Sequence, residues 1–570
     1  MNRITVLLGL VFFATLFSCK KDEIVPTEPI STKTTNKTID STASAASGKT
    51  PAVDTAKSGT VSGQGTAQVT PKSPTPATPS TGTTTQTGTG TTTTKPATGT
   101  TIPATPATGT TTKTGTGTTT TKPATGATTI PTTPSTPSTP PTVQAQALAG
   151  VYGDGIHDDT RALQQLLNAG NVTLLTGKTF NVTGLVVSHA LNLNGATIAM
   201  TGTRSYTISL AASGASITNG SIVGQWNNSM AGNPNGAAGI GISADNVSIS
   251  YVSVSSFPGY GIASGAFNNP SITYCTIQNT GYIGFYYDPE TKSTTGGTFS
   301  HNAVDRSMVP ASTVNEACAE IRGSVANDAI LTSGWTISSN SFKMPSKPAK
   351  LVAECMEVRH MTNSVISNNV FTAGTIGCSV VACSGVTVTA NQFSGSSQEA
   401  IEFADAKSCA TQNNTITSSL GAGILINGGT GSNGITISGD NISGTAGDCI
   451  HAYFNTQNLV ISGCMLTAGQ NKNMVNFQGT SAVKIQNTKF NGNGTANAAV
   501  IVDTCPGNIA IIGGTVSNLK SFVVTIYSAK AGLVTDNVTM AGTTISGVPK
   551  ALNVVLQNGA SVGSNIAVKL

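Results

Sequence analysis

The sequence predicts an all-β chain coiled as a parallel solenoid, and three observations carry that prediction. From about residue 270 a short pattern recurs, Asn, any residue, then an apolar one, at Asn302, Asn340, Asn369, Asn391 and Asn414, with Asp440 and Cys464 in the same place. A second column keeps step with it: Ile401-Glu402-Phe403, Ile424-Leu425-Ile426, Ile450-His451-Ala452 and Val475-Asn476-Phe477. Helical periodicity is scarce, whereas short runs of Val, Ile and Thr between Gly, Asn and Ser turns are common. Steps of 22 to 26 residues dominate. No unit of that size buries its own apolar face, so neighbours must stack, at about 4.8 Å per coil. The steps from Asn302 to Asn340 and from Asn340 to Asn369 are longer, so insertions emerge there, and loops that swell on adjacent coils wall a groove.

The chain opens with Met1-Asn2-Arg3, an apolar run from Ile4 to Phe17, and then Ser18-Cys19. That is a charged n-region, an h-region too short to span a bilayer, and a small residue before a cysteine. It resembles the lipobox of bacterial lipoproteins. The resemblance implies that residues 1–18 are a signal peptide, that Cys19 is lipidated, and that acyl chains hold the exported protein to a membrane at about 0.8 kcal/mol per buried CH2. Lys20-Lys21-Asp22-Glu23 is similar to the charged tetrapeptide of surface-exposed lipoproteins of the Bacteroidetes type, which implies the outer-membrane cell surface of a Gram-negative bacterium. Residues 19–147 are dominated by Thr, Ser, Pro, Gly and Ala, hold most of the chain's prolines, and carry the string TGTGTTTTKPATG at Thr87 and again at Thr114. Such a polymer cannot bury enough apolar surface to fold and reads as a disordered stalk.

Residues 148–570 form the solenoid. Its opening, Tyr152-Gly153-Asp154-Gly155-Ile156-His157-Asp158-Asp159-Thr160 followed by Arg161-Ala162-Leu163-Gln164-Gln165-Leu166-Leu167, reads as a tight turn, an N-cap and an amphipathic helix with Leu163, Leu166 and Leu167 on its apolar face. This resembles the GDGxxDDTxALQ opening of the pectate-lyase superfamily. The resemblance implies a right-handed parallel β-helix whose first coil is capped by this short helix. The aspartates serve turn and cap, not chemistry.

Composition excludes several classes. Only 9% of residues are charged, against about 25% in an average domain, and no Lys/Arg cluster lies in the solenoid, so nucleic acid is not a partner. Neither a CxxC pair with a matching His nor a dense Asp/Asn cluster is present, so no metal and no cofactor are expected. Nine cysteines follow Cys19, and an odd number cannot all pair within the chain. Cys318 and Cys355 hold equivalent coil positions within disulfide range, although free thiols packed as apolar groups are the commoner use.

Scarce charge makes its location informative. The strand column reads Tyr286, Glu320, Glu357, Ser379, Glu402, Leu425, His451 and Asn476. Two residues further along come Asp288, Arg322, Arg359, Val381, Ala404, Asn427, Tyr453 and Gln478. Period-two alternation puts both columns on one outward face and turns Ile321, Val358 and Phe403 inward. Glu316, Glu354, His360, Glu399 and Asp405 flank them. Carboxyl groups on adjacent or next-but-one coils, at about 5 and 10 Å, suit glycoside hydrolysis, one protonating the leaving oxygen while another attacks or activates water. Glu320, Glu357 and Glu402 are the catalytic candidates. Arg322 and Arg359 are anion clamps, and Tyr286, Asp288, His360 and Tyr453 complete substrate binding, for a polysaccharide that an anion clamp would suit if acidic.

A β-eliminating lyase is the next reading, with Arg322 or Arg359 neutralising a uronate and Tyr286, His360 or Lys350 moving protons. Phe285-Tyr286-Tyr287-Asp288-Pro289-Glu290 is similar to the YGFDPHE strand of alginate C5-epimerases, with Glu290 where that family has histidine. This gives uronan epimerisation as a minor alternative. The NTD, DD, GHG and RIK blocks of polygalacturonases are not seen. The other class of function is a non-catalytic, glycan-binding or adhesive β-helix.

Overall fold

The computed structural model describes residues 142–144 and 149–570, apart from 203–204, 229–231, 325–328, 330, 454, 471–472, 529 and 570. The signal, Cys19 and nearly all of the stalk lie outside the described residues.

Every strand pairing in the described residues is parallel, from Thr142–Gln144 against Asn171–Thr173 to Val538–Thr539 against Ile566–Ala567. Two sheets result, of 33 and 15 strands. The smaller takes one strand from each coil, from Leu185–Val187 to Lys550–Leu556, which gives a parallel β-solenoid of about 15 turns. The larger sheet takes two strands from most coils, joined at a corner residue in the left-handed region such as Asn368 (φ 56°) or Asn413 (φ 53°). Asn suits that corner because its short side chain tolerates positive φ.

Directly after the corner in five successive coils comes the recurring asparagine of the sequence pattern, and its role is a buried ladder. The backbone N–H of Asn340 donates to Asn369 Oδ1 at 2.9 Å, and Asn340 Nδ2 donates to the same oxygen at 2.9 Å and to the Phe299 carbonyl at 2.8 Å. Asn302, Asn369 and Asn391 repeat this arrangement. Asn414 donates to Asp440 Oδ1 instead, and the second Asp440 oxygen accepts from the Thr411 hydroxyl. Turn backbone that would otherwise be orphaned inside the protein is thereby satisfied.

The core alternates with these polar rungs. Phe342, Phe371 and Phe393 stack at 5.1 and 4.6 Å between ring centroids, each pair contributing about 0.5–1.5 kcal/mol beyond its buried area. The nine cysteines of the described residues are all buried free thiols. Burial pushes the Cys275 thiol up to about 11, so it packs as an apolar group and is not a nucleophile.

The helix Thr160–Ala169 buries Ala162, Leu163, Leu166 and Leu167 and packs against Leu185–Val187 and Asn171–Thr173. The aspartates before it are structural. Asp159 is fully buried and accepts from the Tyr152 and Gly153 N–H groups, while Asp158 accepts from the Thr160 N–H.

The two long steps are insertions of the expected kind. Residues 306–318 precede the strand Ala319–Arg322, and residues 344–355 precede Met356–Arg359. The Ala349 N–H donates to the Ala311 carbonyl at 2.9 Å, tying one insertion to the other. Arg306 is fully buried and clamps the first, donating to the Thr280, Gly281, Glu316 and Ala317 carbonyls.

Candidate functional site

Hydrogen bonding in the smaller sheet sets the side chains of the row in register. Tyr286 pairs with Glu320, Glu320 with Glu357, Glu357 with Ser379, and Ser379 with Glu402. Glu402 then pairs with Leu425, Leu425 with His451, and His451 with Asn476. Arg322 and Arg359 are likewise opposite one another. Alternation turns Ile321, Val358 and Phe403 into the core at 0% exposure. The two columns expected from the sequence therefore lie on one face, about 4.8 Å apart per coil.

That face is more enclosed than its outward direction suggests. Glu320 and Glu357 are only 2% and 6% exposed, and Asp288 7%. They are covered because the charges pair with one another. Arg322 Nε donates to Asp288 Oδ2 at 2.8 Å, its Nη1 lies 3.5 Å from Glu320 Oε2, and its Nη2 reaches the Tyr286 hydroxyl. Arg359 Nε donates to Glu357 Oε1 at 3.0 Å. Burial works against the Arg322 charge, but Tyr286, Glu320 and Asp288 outweigh it and hold the guanidinium well above its ordinary value. Burial opposes the Arg359 charge as well, and Glu357 raises its pKa regardless. Both arginines are thus already engaged by carboxylates of the protein. The Tyr286 ring is engaged too, stacked on Tyr260 at 4.9 Å with the Arg322 guanidinium 5.0 Å from its centroid. Burial drives its phenol far up.

Glu402 has a different setting. Its Oε2 accepts from the Ser379 hydroxyl at 2.8 Å and its Oε1 from Asn427 Nδ2 at 2.9 Å, so both oxygens are held by uncharged donors. Three residues earlier, Glu399 sits on the turn into the strand. Burial first, and then the charge of Glu402, push its carboxyl up to about 7. A Cβ on Gly421 in the next coil would lie 2.9 Å from Glu399 Oε1, so glycine there makes room for the carboxyl.

The flanking candidates divide. Tyr453 closes its strand beside His451, ring centroids 4.8 Å apart. His360 stands at the corner after Arg359, and its Nδ1 donates to the Ser324 carbonyl at 2.6 Å, which commits that nitrogen to the backbone. Asp405 accepts from the Gly429, Thr430 and Gly431 N–H groups and so organises a turn. The Tyr282 hydroxyl donates to Glu316 Oε1 at 3.0 Å. Sequence reasoning passed over Tyr260, Tyr282 and Asp448. The signal for the two tyrosines was their separation of one coil step, 22 residues. For Asp448 it was the i, i+3 spacing to His451 that Glu354 and Glu399 repeat before Glu357 and Glu402.

Eight carboxyl groups, those of Asp288, Glu316, Glu320, Glu354, Glu357, Glu399, Glu402 and Asp448, share this wall with the guanidinium groups of Arg306, Arg322 and Arg359. Carboxyl groups therefore outnumber guanidinium groups along it. Among the described residues no group of three or more His, Cys, Asp or Glu side chains could hold a metal ion. A groove of about 480 Å³ lies on a different face, beside the corner residues Tyr251, Tyr274 and His301. No carboxyl group lines it.

No curated protein matches this sequence. Among solved structures, the chain is similar to the A-module of the Azotobacter vinelandii mannuronan C-5 epimerase AlgE4, with 15% identity, 74% of this chain and 100% of that one covered, and a TM-score of 0.30. It is similar to an exopolygalacturonase from Thermotoga maritima, with 12% identity, 62% and 92% covered, and a TM-score of 0.41. It is also similar to PfbA, a surface adhesin of Streptococcus pneumoniae, with 13% identity, 74% and 93% covered, and a TM-score of 0.35. Residues 320–466 and 377–545 match the family model described as a right handed beta helix region, and the parallel coils are those of a right-handed parallel β-helix.

Proposed function

We propose that this protein cleaves a polysaccharide by carboxylate acid/base chemistry, as a glycoside hydrolase, and that Cys19 and the stalk hold it by a lipid anchor at the cell surface. One observation carries the catalytic reading. Two neighbouring carboxyl groups, Glu399 and Glu402, have different settings: burial pushes the Glu399 carboxyl up to about 7, while Glu402 accepts hydrogen bonds from Ser379 and Asn427. In this scheme protonated Glu399 gives its proton to the leaving glycosidic oxygen, and ionised Glu402 attacks the anomeric carbon or takes a proton from water. The bond from the anomeric carbon to the leaving oxygen breaks, and water supplies the new hydroxyl. Glu357 and Glu320 extend the wall by two and three coils, and the partly exposed Arg359 and Tyr453 flank the chain that lies along it. The polysaccharide-acting and adhesive proteins of similar fold are compatible with a glycan partner.

The test is to incubate the protein with acidic and neutral polysaccharides while following new reducing ends and the ultraviolet absorbance of unsaturated uronides. New reducing ends without absorbance are expected. Absorbance together with reducing ends indicates a lyase, and retention on the glycan with neither product leaves a non-catalytic, adhesive solenoid. Glu402→Gln and Glu399→Gln should each lower kcat at least about a hundredfold, the usual worth of an acid or base, while the melting temperature stays nearly constant. Unchanged turnover in either variant removes that residue from the chemistry.

A further inference from the structure

On the C-terminal side of Glu402, three buried polar atoms on successive coils have no hydrogen-bond partner: Asn427 Oδ1, His451 Nε2 and Asn476 Oδ1. Such atoms are rare in native proteins and call for an explanation. What the other end of each side chain does sets their chemistry. Asn427 Nδ2 donates to Glu402 at 2.9 Å, and Asn476 Nδ2 donates to Asp448 Oδ2 at 3.2 Å, so in both amides the carbonyl oxygen is left over. Of the two ring nitrogens of His451, Nδ1 is the one that faces a carboxylate, 3.7 Å from the same Asp448 oxygen, and with the proton assigned there Nε2 carries a lone pair. Burial keeps this imidazole neutral, its pKa pushed down to about 4. With that tautomer all three orphan atoms are acceptors, and a ligand would bring the donors.

We propose that Asn427, His451 and Asn476 form a subsite that accepts hydrogen bonds from the hydroxyl groups of a neutral sugar, and hence that the substrate is a neutral polysaccharide. This rests on the reading of the wall as glycan-cleaving, and it narrows the substrate. Charge supports it independently. Carboxyl groups outnumber guanidinium groups along the wall, and its two outer guanidinium groups are already bonded to Asp288, Glu320 and Glu357. A uronate or sulfated chain would meet carboxyl groups, and the cations that could offset them are already bonded to the protein's own carboxylates. The donor-rich, uncharged face of a neutral sugar meets no such penalty and satisfies the orphan acceptors.

Affinity electrophoresis of the full chain in gels containing a neutral glucan, mannan or xylan, a polyuronate, or a deacetylated chitosan tests this without any need for turnover. Retardation by a neutral polymer is expected, with His451→Phe weakening it about tenfold, the worth of one good hydrogen bond. That substitution keeps the ring beside Tyr453 and removes an unpaired buried nitrogen, so the melting temperature should hold or rise while affinity falls. A purely structural histidine would show the opposite. Preference for the polyuronate, preference for the cationic chitosan, or unchanged neutral-polymer affinity in His451→Phe would each overturn the proposal. The two readings fail separately. Binding of neutral polymer without new reducing ends removes the cleavage and leaves the subsite, whereas cleavage of a polyuronate does the reverse.

Discussion

Asp440 shows how one side chain carries a cost that its neighbours in the ladder avoid. Where the other rungs offer an amide, Asp440 offers a carboxyl, and burial pushes its pKa from 3.8 up to about 6 despite donors from Thr411 and Asn414. The folded state thus holds a proton that the unfolded chain releases. Stability is fully present below the unfolded pKa near 4 and is lost as pH rises to about 6, a difference of about 3 kcal/mol at 1.36 kcal/mol per unit. Asp440→Asn should remove that pH dependence and stabilise the protein at pH 7, seen as a higher midpoint in thermal or urea unfolding at pH 7 and little change at pH 4. At the same scale, the proposed cleavage would take its pH dependence from Glu399. A general acid with a pKa of about 7 must keep its proton, so kcat should fall as pH rises through 7, and Glu399→Gln should abolish that limb along with turnover. The ladder position of Asp440 was legible in the sequence, since it stands where the asparagines stand. Its protonation was not, because that depends on how deeply the carboxyl is buried, an effect that outweighs the opposing donors Thr411 and Asn414 and that periodicity does not report.

At the scale of the element, the coil is what the sequence displays best. Apolar residues at fixed offsets locate each strand, and parallel pairing then carries Tyr286, Glu320, Glu357, Ser379 and Glu402 into one row without further information. Pairing within the row is a different matter. Arg359 is two residues from Glu357 and reaches back to it, while Arg322 folds towards Asp288 on the previous coil. Those are rotamer choices, invisible to periodicity, and they turn two expected anion clamps into engaged partners. The insertions are similar: step length reveals that they exist, but not that Arg306 secures the first through four backbone carbonyls. Removing that side chain leaves several buried carbonyls without donors, at about 1–3 kcal/mol each when uncompensated. Arg306→Met is expected to lower stability by at least about 3 kcal/mol and to hasten proteolysis between residues 306 and 318. Retained stability would mean that water replaces the guanidinium.

For the whole molecule, a stack of coils has two ends whose apolar interior must be shielded. The helix Thr160–Ala169 does this at the first coil with Leu163, Leu166 and Leu167. Leu166→Asp should therefore cause self-association, measured by light scattering after size-exclusion chromatography, before it causes loss of β-structure. This part was legible from one motif, because the amphipathic spacing and the aspartates that bind the turn are contiguous in sequence. The acceptor strip of Asn427, His451 and Asn476 was not, since an unpaired atom is defined by what is missing around it.

Because each turn of the chain advances the wall by one fixed increment, the row is a graduated scale, and a glycan bound along it as proposed would be measured in units of the backbone and not of side-chain length. Duplicating or deleting one whole turn between Ser379 and Leu425 would shift the orphan acceptors relative to Glu357 by a single graduation and leave every interior contact type in place. Such a lineage of walls can change the length of chain it measures without inventing a new fold.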